Sequence, residues 1–102
     1  MPRIDESQAY LSDAMAETLW ASGEPDKARR LYSDIQKRPL ARLENSYLYV
    51  RSFYQIARIL QEQGKDEEAR ASYQQFLDLW KDADPGIPML QDARQQLRAL
   101  SQ

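Results

Sequence analysis

The 102-residue chain has no cysteine and no histidine. Without them it has no disulfide framework, no Cys/His zinc site, no Cys–His nucleophile pair and no Ser–His–Asp triad. Much hydrolytic and redox chemistry is thereby excluded. The chain also lacks any run of about 18 apolar residues, the length a membrane span needs. The charged start Met1-Pro2-Arg3-Ile4-Asp5-Glu6 stands where a secretory leader requires an apolar stretch. Nor is there a Gly-rich phosphate loop among the three glycines. These absences predict a soluble, cytoplasmic protein that is not an enzyme and holds no cofactor and no metal. With 42% apolar residues, it has material for one small domain with a modest core.

Charge is distributed unevenly although the net value is only −2. Residues 1–26 carry six acids and one base, residues 27–42 six bases and one acid, and the remainder nine acids and seven bases. The basic stretch Lys27, Arg29, Arg30, Lys37, Arg38 and Arg42 has two readings, a phosphate-binding patch or a solvated helix face. The acidic flank beside it would repel phosphate, so the solvated face is favoured and nucleic acid is not expected as a partner.

Apolar residues recur at intervals of three and four. In the central segment Leu43, Tyr47, Val50, Tyr54 and Ala57 step by 4, 3, 4 and 3, the spacing of one helix face. Helix-favouring residues dominate, and no alternating Val/Ile/Thr run competes for a strand. The class is all-α, with five helices expected at about 5–22, 26–38, 43–63, 66–82 and 87–101. Asp26 and Asp66 are expected as N-caps, and Pro88 suits a first-turn position. Pro39 should close the second helix or open the third.

The most specific feature is a repeat. Met15-Ala16, Leu19, Gly23, Ala28 and Tyr32 recur as Ile56-Ala57, Leu60, Gly64, Ala69 and Tyr73, always 41 positions later. A fixed period of this size marks stacked supersecondary units. The residue types suit a helix hairpin: Ala16 against Ala28, and Ala57 against Ala69, would let two helices approach closely. Leu19, Tyr32, Leu60 and Tyr73 would fill the space beside them. Gly23 and Gly64 supply the left-handed residue that reverses the chain.

At these positions the sequence resembles the tetratricopeptide repeat. Phe53-x2-Ile56-Ala57-x2-Leu60 with Ala69-x3-Tyr73 follows that family's spacing, and Ser12-x2-Met15-Ala16-x2-Leu19 with Ala28-x3-Tyr32 follows it with a small residue at the first position. The period of 41 exceeds the family's ~34 by about two helical turns, to be placed between Tyr32 and Phe53. The resemblance implies an antiparallel helix-hairpin solenoid occupying the whole chain, 1–102. One repeat covers about 5–40, a second about 43–82, and a capping helix about 87–101. The cap would carry the stripe Leu90, Ala93, Leu97 and Leu100 and cover the exposed end of the stack.

A narrower likeness lies in the last half. Tyr49-Val50-Arg51-Ser52-Phe53-Tyr54 and the string Leu79-Trp80-Lys81-Asp82-Ala83-Asp84-Pro85 are similar to C-terminal tail repeats of large bacterial regulatory proteins of the kinase-like or winged-helix type. That likeness implies a fragment of such a protein, or a small stand-alone relative.

The family likeness implies a protein or peptide partner laid along a groove formed by the first helix of each pair. By register, the candidate groove residues are Tyr10, Asp13, Glu17 and Trp20, then Arg51, Tyr54, Arg58 and Glu62. Aromatic anchors with mixed charge are usual on binding faces. Asp13 and Glu17 stand where carboxylate-clamping members of the family carry Lys and Asn, which argues against an anionic peptide terminus as ligand. The other aromatic residues, Tyr47, Tyr49, Phe53, Tyr73, Phe76 and Trp80, read as inter-helix packing rather than a ligand pocket. The pairs Glu67/Glu68 and Asp82/Asp84 do not share a helix face and read as helix-end charges rather than acid/base or divalent-ion sites. A different function class stays open beside the adaptor. Two repeats and a cap fall short of the three usually needed to bury a continuous core, so the chain could instead be a homodimerisation module, completing its stack with a second copy.

Overall fold

The computed structural model describes residues 6–37, 47–81 and 86–101, with side chains from residue 11 onward. Among them lie five helices, α1 (Glu6–Ala21), α2 (Pro25–Gln36), α3 (Tyr47–Glu62), α4 (Asp66–Leu79) and α5 (Pro88–Leu100), and no strand. The spacing of three and four thus gives helices where it predicts them. Pro39, Arg38, Arg42, Leu43 and Asp82 to Pro85 lie outside the described residues. Two compact units divide the chain, Met1–Ser52 and Phe53–Gln102. The boundary falls inside α3, whose first turns carry Arg51 onto α1 and whose remainder packs with α4 and α5.

Two turns define the hairpins, and both are built alike. In the first, the Gly23 N–H donates to the Trp20 carbonyl at 3.1 Å and the Glu24 N–H to the Leu19 carbonyl at 2.8 Å. In the second, the Gly64 N–H donates to the Gln61 carbonyl at 3.0 Å and the Lys65 N–H to the Leu60 carbonyl at 2.9 Å. This crossed pair of bonds is the Schellman ending of a helix. It requires a left-handed residue, and Gly23 and Gly64 have φ of 85° and 77°. A methyl group built on either glycine meets nothing within 4 Å, so backbone conformation alone selects glycine here.

The next residue serves both helices. The Glu24 carbonyl accepts the Ala28 N–H at 3.1 Å, and the Lys65 carbonyl accepts the Ala69 N–H at 2.9 Å. Glu24 and Lys65 are therefore the N-caps, which corrects the expected roles of Asp26 and Asp66. The N-cap precedes Asp26 by two residues and Asp66 by one, so each helix has begun before the carboxylate is reached. Asp26 and Asp66 sit in the first turn instead, where a negative charge opposes the positive end of the helix dipole. Pro25 occupies the start of α2 and Pro88 the start of α5, positions at which a missing N–H costs nothing.

The alanines of the repeat sit in the core. Ala16, Ala28, Ala57 and Ala69 are all fully buried. In the first unit α1 packs on α2, with Tyr32 and Ile35 filling the interior. In the second, the corresponding Tyr73 and Phe76 do so, joined by Leu90 and Ala93 of α5. Each such ring or branched chain withdrawn from water contributes about 1.5–3 kcal/mol. The pairs Tyr32/Tyr73 and Ile35/Phe76 again stand 41 apart, so the repeat extends to the second helix of each hairpin.

Polar atoms in the second unit are matched to the core around them. The Ser72 hydroxyl donates to the Phe53 carbonyl at 2.7 Å and the Tyr73 hydroxyl to Gln61 Oε1 at 2.8 Å. Gln61 in turn donates to Gln96 Oε1 at 2.8 Å. Arg70 reaches the Leu100 carbonyl at 3.2 Å, satisfying an end carbonyl of α5 that has no helical partner.

Candidate functional site

Of the expected groove residues, those on the first unit form one cluster. Asp13 and Glu17 are one turn apart on α1, and Arg51 of α3 donates to both, Nη1 to Asp13 Oδ1 and Nη2 to Glu17 Oε1, the latter at 3.2 Å. The Arg51 and Asp13 side chains are mostly buried, whereas that of Glu17 is more than half exposed. Trp20 is half-buried on the same helix. Tyr10 lies outside the described side chains.

Two acids share one cation in this cluster, and the two sides of the pair respond differently. Burial raises the Asp13 carboxyl above the usual carboxylate range; Arg51 pulls it down, and the neighbouring Glu17 adds to the rise. For Arg51 burial alone would weaken the cation, but Asp13, Tyr32, Glu17 and Tyr47 together hold it above its ordinary value. The asymmetry has a plain cause: the guanidinium faces two carboxylates, whereas Asp13 faces one cation and one like charge. The arrangement strongly fixes Arg51 and leaves Asp13 as the strained member.

On the second unit Tyr54 departs from expectation. Register turns it outward, but it is only 8% exposed. Its hydroxyl donates to Asp92 Oδ2 of α5 at 2.6 Å. Its ring lies 6.2 Å from that of Tyr73, edge-on, and 5.3 Å from that of Phe76. The arrival of α5 is the physical reason, since it supplies both the acceptor and the cover. Arg58 remains exposed, with its guanidinium 5.7 Å from the Tyr54 ring centre and Nη1 donating to Gln55 Oε1 at 3.3 Å. Glu62 is exposed as well.

These two contact sets are one pattern seen twice. Asp13 and Arg51 are related to Tyr54 and Asp92 by the same 41 positions. Helix α5 therefore meets α3 in the register in which α3 meets α1. In that contact α5 repeats on α3 the part that α3 plays on α1. Leu48/Met89, Ser52/Ala93, Ile56/Leu97 and Ile59/Leu100 also stand 41 apart.

Tyr47 also departs from expectation. Its place in the apolar stripe of α3 assigns it to the core, yet it is 50% exposed, one turn before Arg51. A lone sequence cannot separate the two fates, because the stripe runs past the end of the surface that covers it. Tyr47 joins Glu17 as an exposed group beside Arg51.

Among the described residues no group of three or more acidic side chains is placed to hold a metal ion, and no helix is long and apolar enough to cross a membrane. Between α4 and α5 lies an open cleft of about 610 Å³, with Glu67 and Glu68 at one side and Leu97 at the other.

No curated protein and no solved structure matches the chain. A family model, the tetratricopeptide repeat, matches residues 5–82. With the buried alanines, the paired turns and the contact pattern that recurs along the helices, this makes the chain a member of the tetratricopeptide repeat family.

Proposed function

We propose that the chain is an adaptor that binds a peptide or a partner domain through the first helices of its repeats, within a bacterial regulatory or signalling protein. Tetratricopeptide repeats generally mediate protein–protein interaction, and the chain carries their core and turns. The observation that supports a binding role for these helices is the set of polar and aromatic groups they keep exposed. Glu17, Tyr47, Arg58 and Glu62 project from helices that bury Ala16, Val50, Ala57 and Ile59. Asp13, Arg51 and Tyr54, which the sequence places beside them, act as supports: they are engaged with one another or with Asp92. The Leu79-to-Pro85 string supports the regulatory context, and an upstream kinase-like or winged-helix domain in the same reading frame would be its direct test.

The binding proposal is tested by panning a displayed peptide library against the full chain and titrating the enriched peptides by calorimetry. Glu17→Lys, Tyr47→Ala and Arg58→Glu are changes at exposed positions and should leave the circular dichroism spectrum unaltered. At least one should weaken binding about tenfold or more, some 1.4 kcal/mol. Failure of any peptide to enrich, or enriched peptides indifferent to all three changes, would count against it.

A further inference from the structure

Helix α5 is held to its hairpin differently from the way the hairpin holds itself. The α3–α4 pair closes over Ala57, Ile59, Leu60, Ala69, Tyr73 and Phe76, all of them buried. Among the described residues of α5 only Leu90 and Ala93 are fully buried, and both lie in its first half. Leu97 and Leu100 continue the stripe but are only part-buried, and Leu97 lines the open cleft with Ala71 and Ser101. The second half of α5 therefore rests on polar contacts, those of Gln96 and the bond from Arg70 to the Leu100 carbonyl.

Most of these contacts join into one line. The Tyr73 hydroxyl of α4 donates to Gln61 Oε1 of α3 at 2.8 Å, Gln61 Nε2 donates to Gln96 Oε1 of α5 at 2.8 Å, and Gln96 Nε2 donates to Asp92 Oδ1 at 3.3 Å. From the other side the Tyr54 hydroxyl of α3 donates to Asp92 Oδ2 at 2.6 Å. Every hydrogen in the line points toward Asp92, because a carboxylate is the one member that accepts and does not donate. Its two oxygens thereby fix the direction of both amides. Gln61 is oriented by Asp92 through Gln96.

We infer that α5 is a lid, able to leave the α3–α4 hairpin as one body, and that Asp92 is its latch. The hydrogen bonds of a departing helix are replaced by bonds to water at small net cost, whereas buried apolar surface has no such substitute. Departure of α5 gives up two fully buried apolar side chains of its own and a line of polar bonds. The Gly64 turn is made by α3 and α4 alone and stays in place. Opening uncovers Tyr54 and with it the aromatic surface it shares with Tyr73 and Phe76. Segments with few buried apolar contacts are those that open without global unfolding. The serial arrangement makes the release all-or-none, because loss of Asp92 as acceptor frees both amides together.

Native-state amide exchange of the full chain, followed by NMR without denaturant, tests this directly. The Leu97 amide of α5 should be protected about tenfold or more less than the Ile59 amide of α3 and the Tyr73 amide of α4. Asp92→Asn keeps the size of the side chain and brings a donor into the line. It should lower protection in α5 about tenfold further and leave Ile59 and Tyr73 within about twofold. It should also shift the side-chain amide resonances of Gln61 together with those of Gln96. Gln95→Ala, at an exposed position of α5 outside the line, should change none of these. Equal protection of Leu97, Ile59 and Tyr73, an Asp92→Asn effect as large at Tyr73 as at Leu97, or Gln61 resonances indifferent to that change would overturn the proposal.

Discussion

At the scale of single residues, Tyr73 shows how one buried hydroxyl ties stability to pH. Burial, together with the negative charge of Asp92 and the neighbouring Tyr54 and Glu62, pushes its ionisation well above the ordinary phenol value of 10. Arg58 offsets this only in part. In the unfolded chain Tyr73 loses its proton near 10, whereas in the folded chain it keeps it. The unfolded state thus binds fewer protons in that range, and stability falls as pH rises above about 10. Urea unfolding at pH 8 and pH 10.5 should reveal this loss. Tyr73→Phe should be less stable at pH 8 by about 1 kcal/mol, from the lost bond to Gln61, and should decline less between the two pH values. An equal decline would show that Tyr73 is not the responsible group.

Asp13 obeys the same sign rule from the acid side. Its folded ionisation lies above the ordinary value of 3.8, so its favourable contribution is present in full below that value and is lost as pH rises through the folded one. Asp13→Asn should therefore gain on the natural chain between pH 3 and pH 7, as read from paired denaturation curves. Glu17 remains to hold Arg51. Arg51→Met should instead destabilise by about 1–3 kcal/mol at pH 7, because it strands a mostly buried carboxylate. A larger gain for Asp13→Asn at pH 3 than at pH 7 would refute the assignment.

At the scale of elements, the hairpin turns carry the repeat most faithfully. The paired hydrogen bonds of the two turns fall on residues 41 apart, from Ser22 and Gln63 to Ala28 and Ala69, although the residues themselves differ at all but the leucines, the glycines and the capped alanines. Gly23→Ala and Gly64→Ala should each cost about 1–2 kcal/mol, the price of a left-handed alanine. The two losses should agree, because neither site has a steric neighbour. Thermal unfolding of the two variants compares them, and a neutral result at either would contradict the conformational reading. The sequence made these turns legible because glycine is the one residue that announces a left-handed backbone. It misled at Asp26 and Asp66, since carboxylates favour both the cap and the first turn and only the point at which the helix begins distinguishes the two.

At the scale of the whole chain, helix class and repeat were readable because both rest on spacing and on small residues at fixed intervals. The candidate site was less so. Exposure of a side chain on the first helix of a hairpin depends on what the next helix brings, and Tyr54 is drawn inward by Asp92 of α5, 38 residues away. The same long-range dependence leaves Tyr47 in water despite its place in an apolar stripe. Leu11 and Met15 are exposed whereas their counterparts Ser52 and Ile56, 41 positions on, are buried, so position in the repeat alone does not set exposure.

The central claim is that the two hairpins close at Ala28 and Ala69 because no larger side chain fits there. Chemical denaturation of Ala28→Leu and Ala69→Leu, compared with Ala14→Leu on the open face of α1, tests it most directly. Each buried replacement should cost about 1–3 kcal/mol by overpacking, with little change at Ala14. Unchanged midpoints for Ala28→Leu and Ala69→Leu would contradict the account.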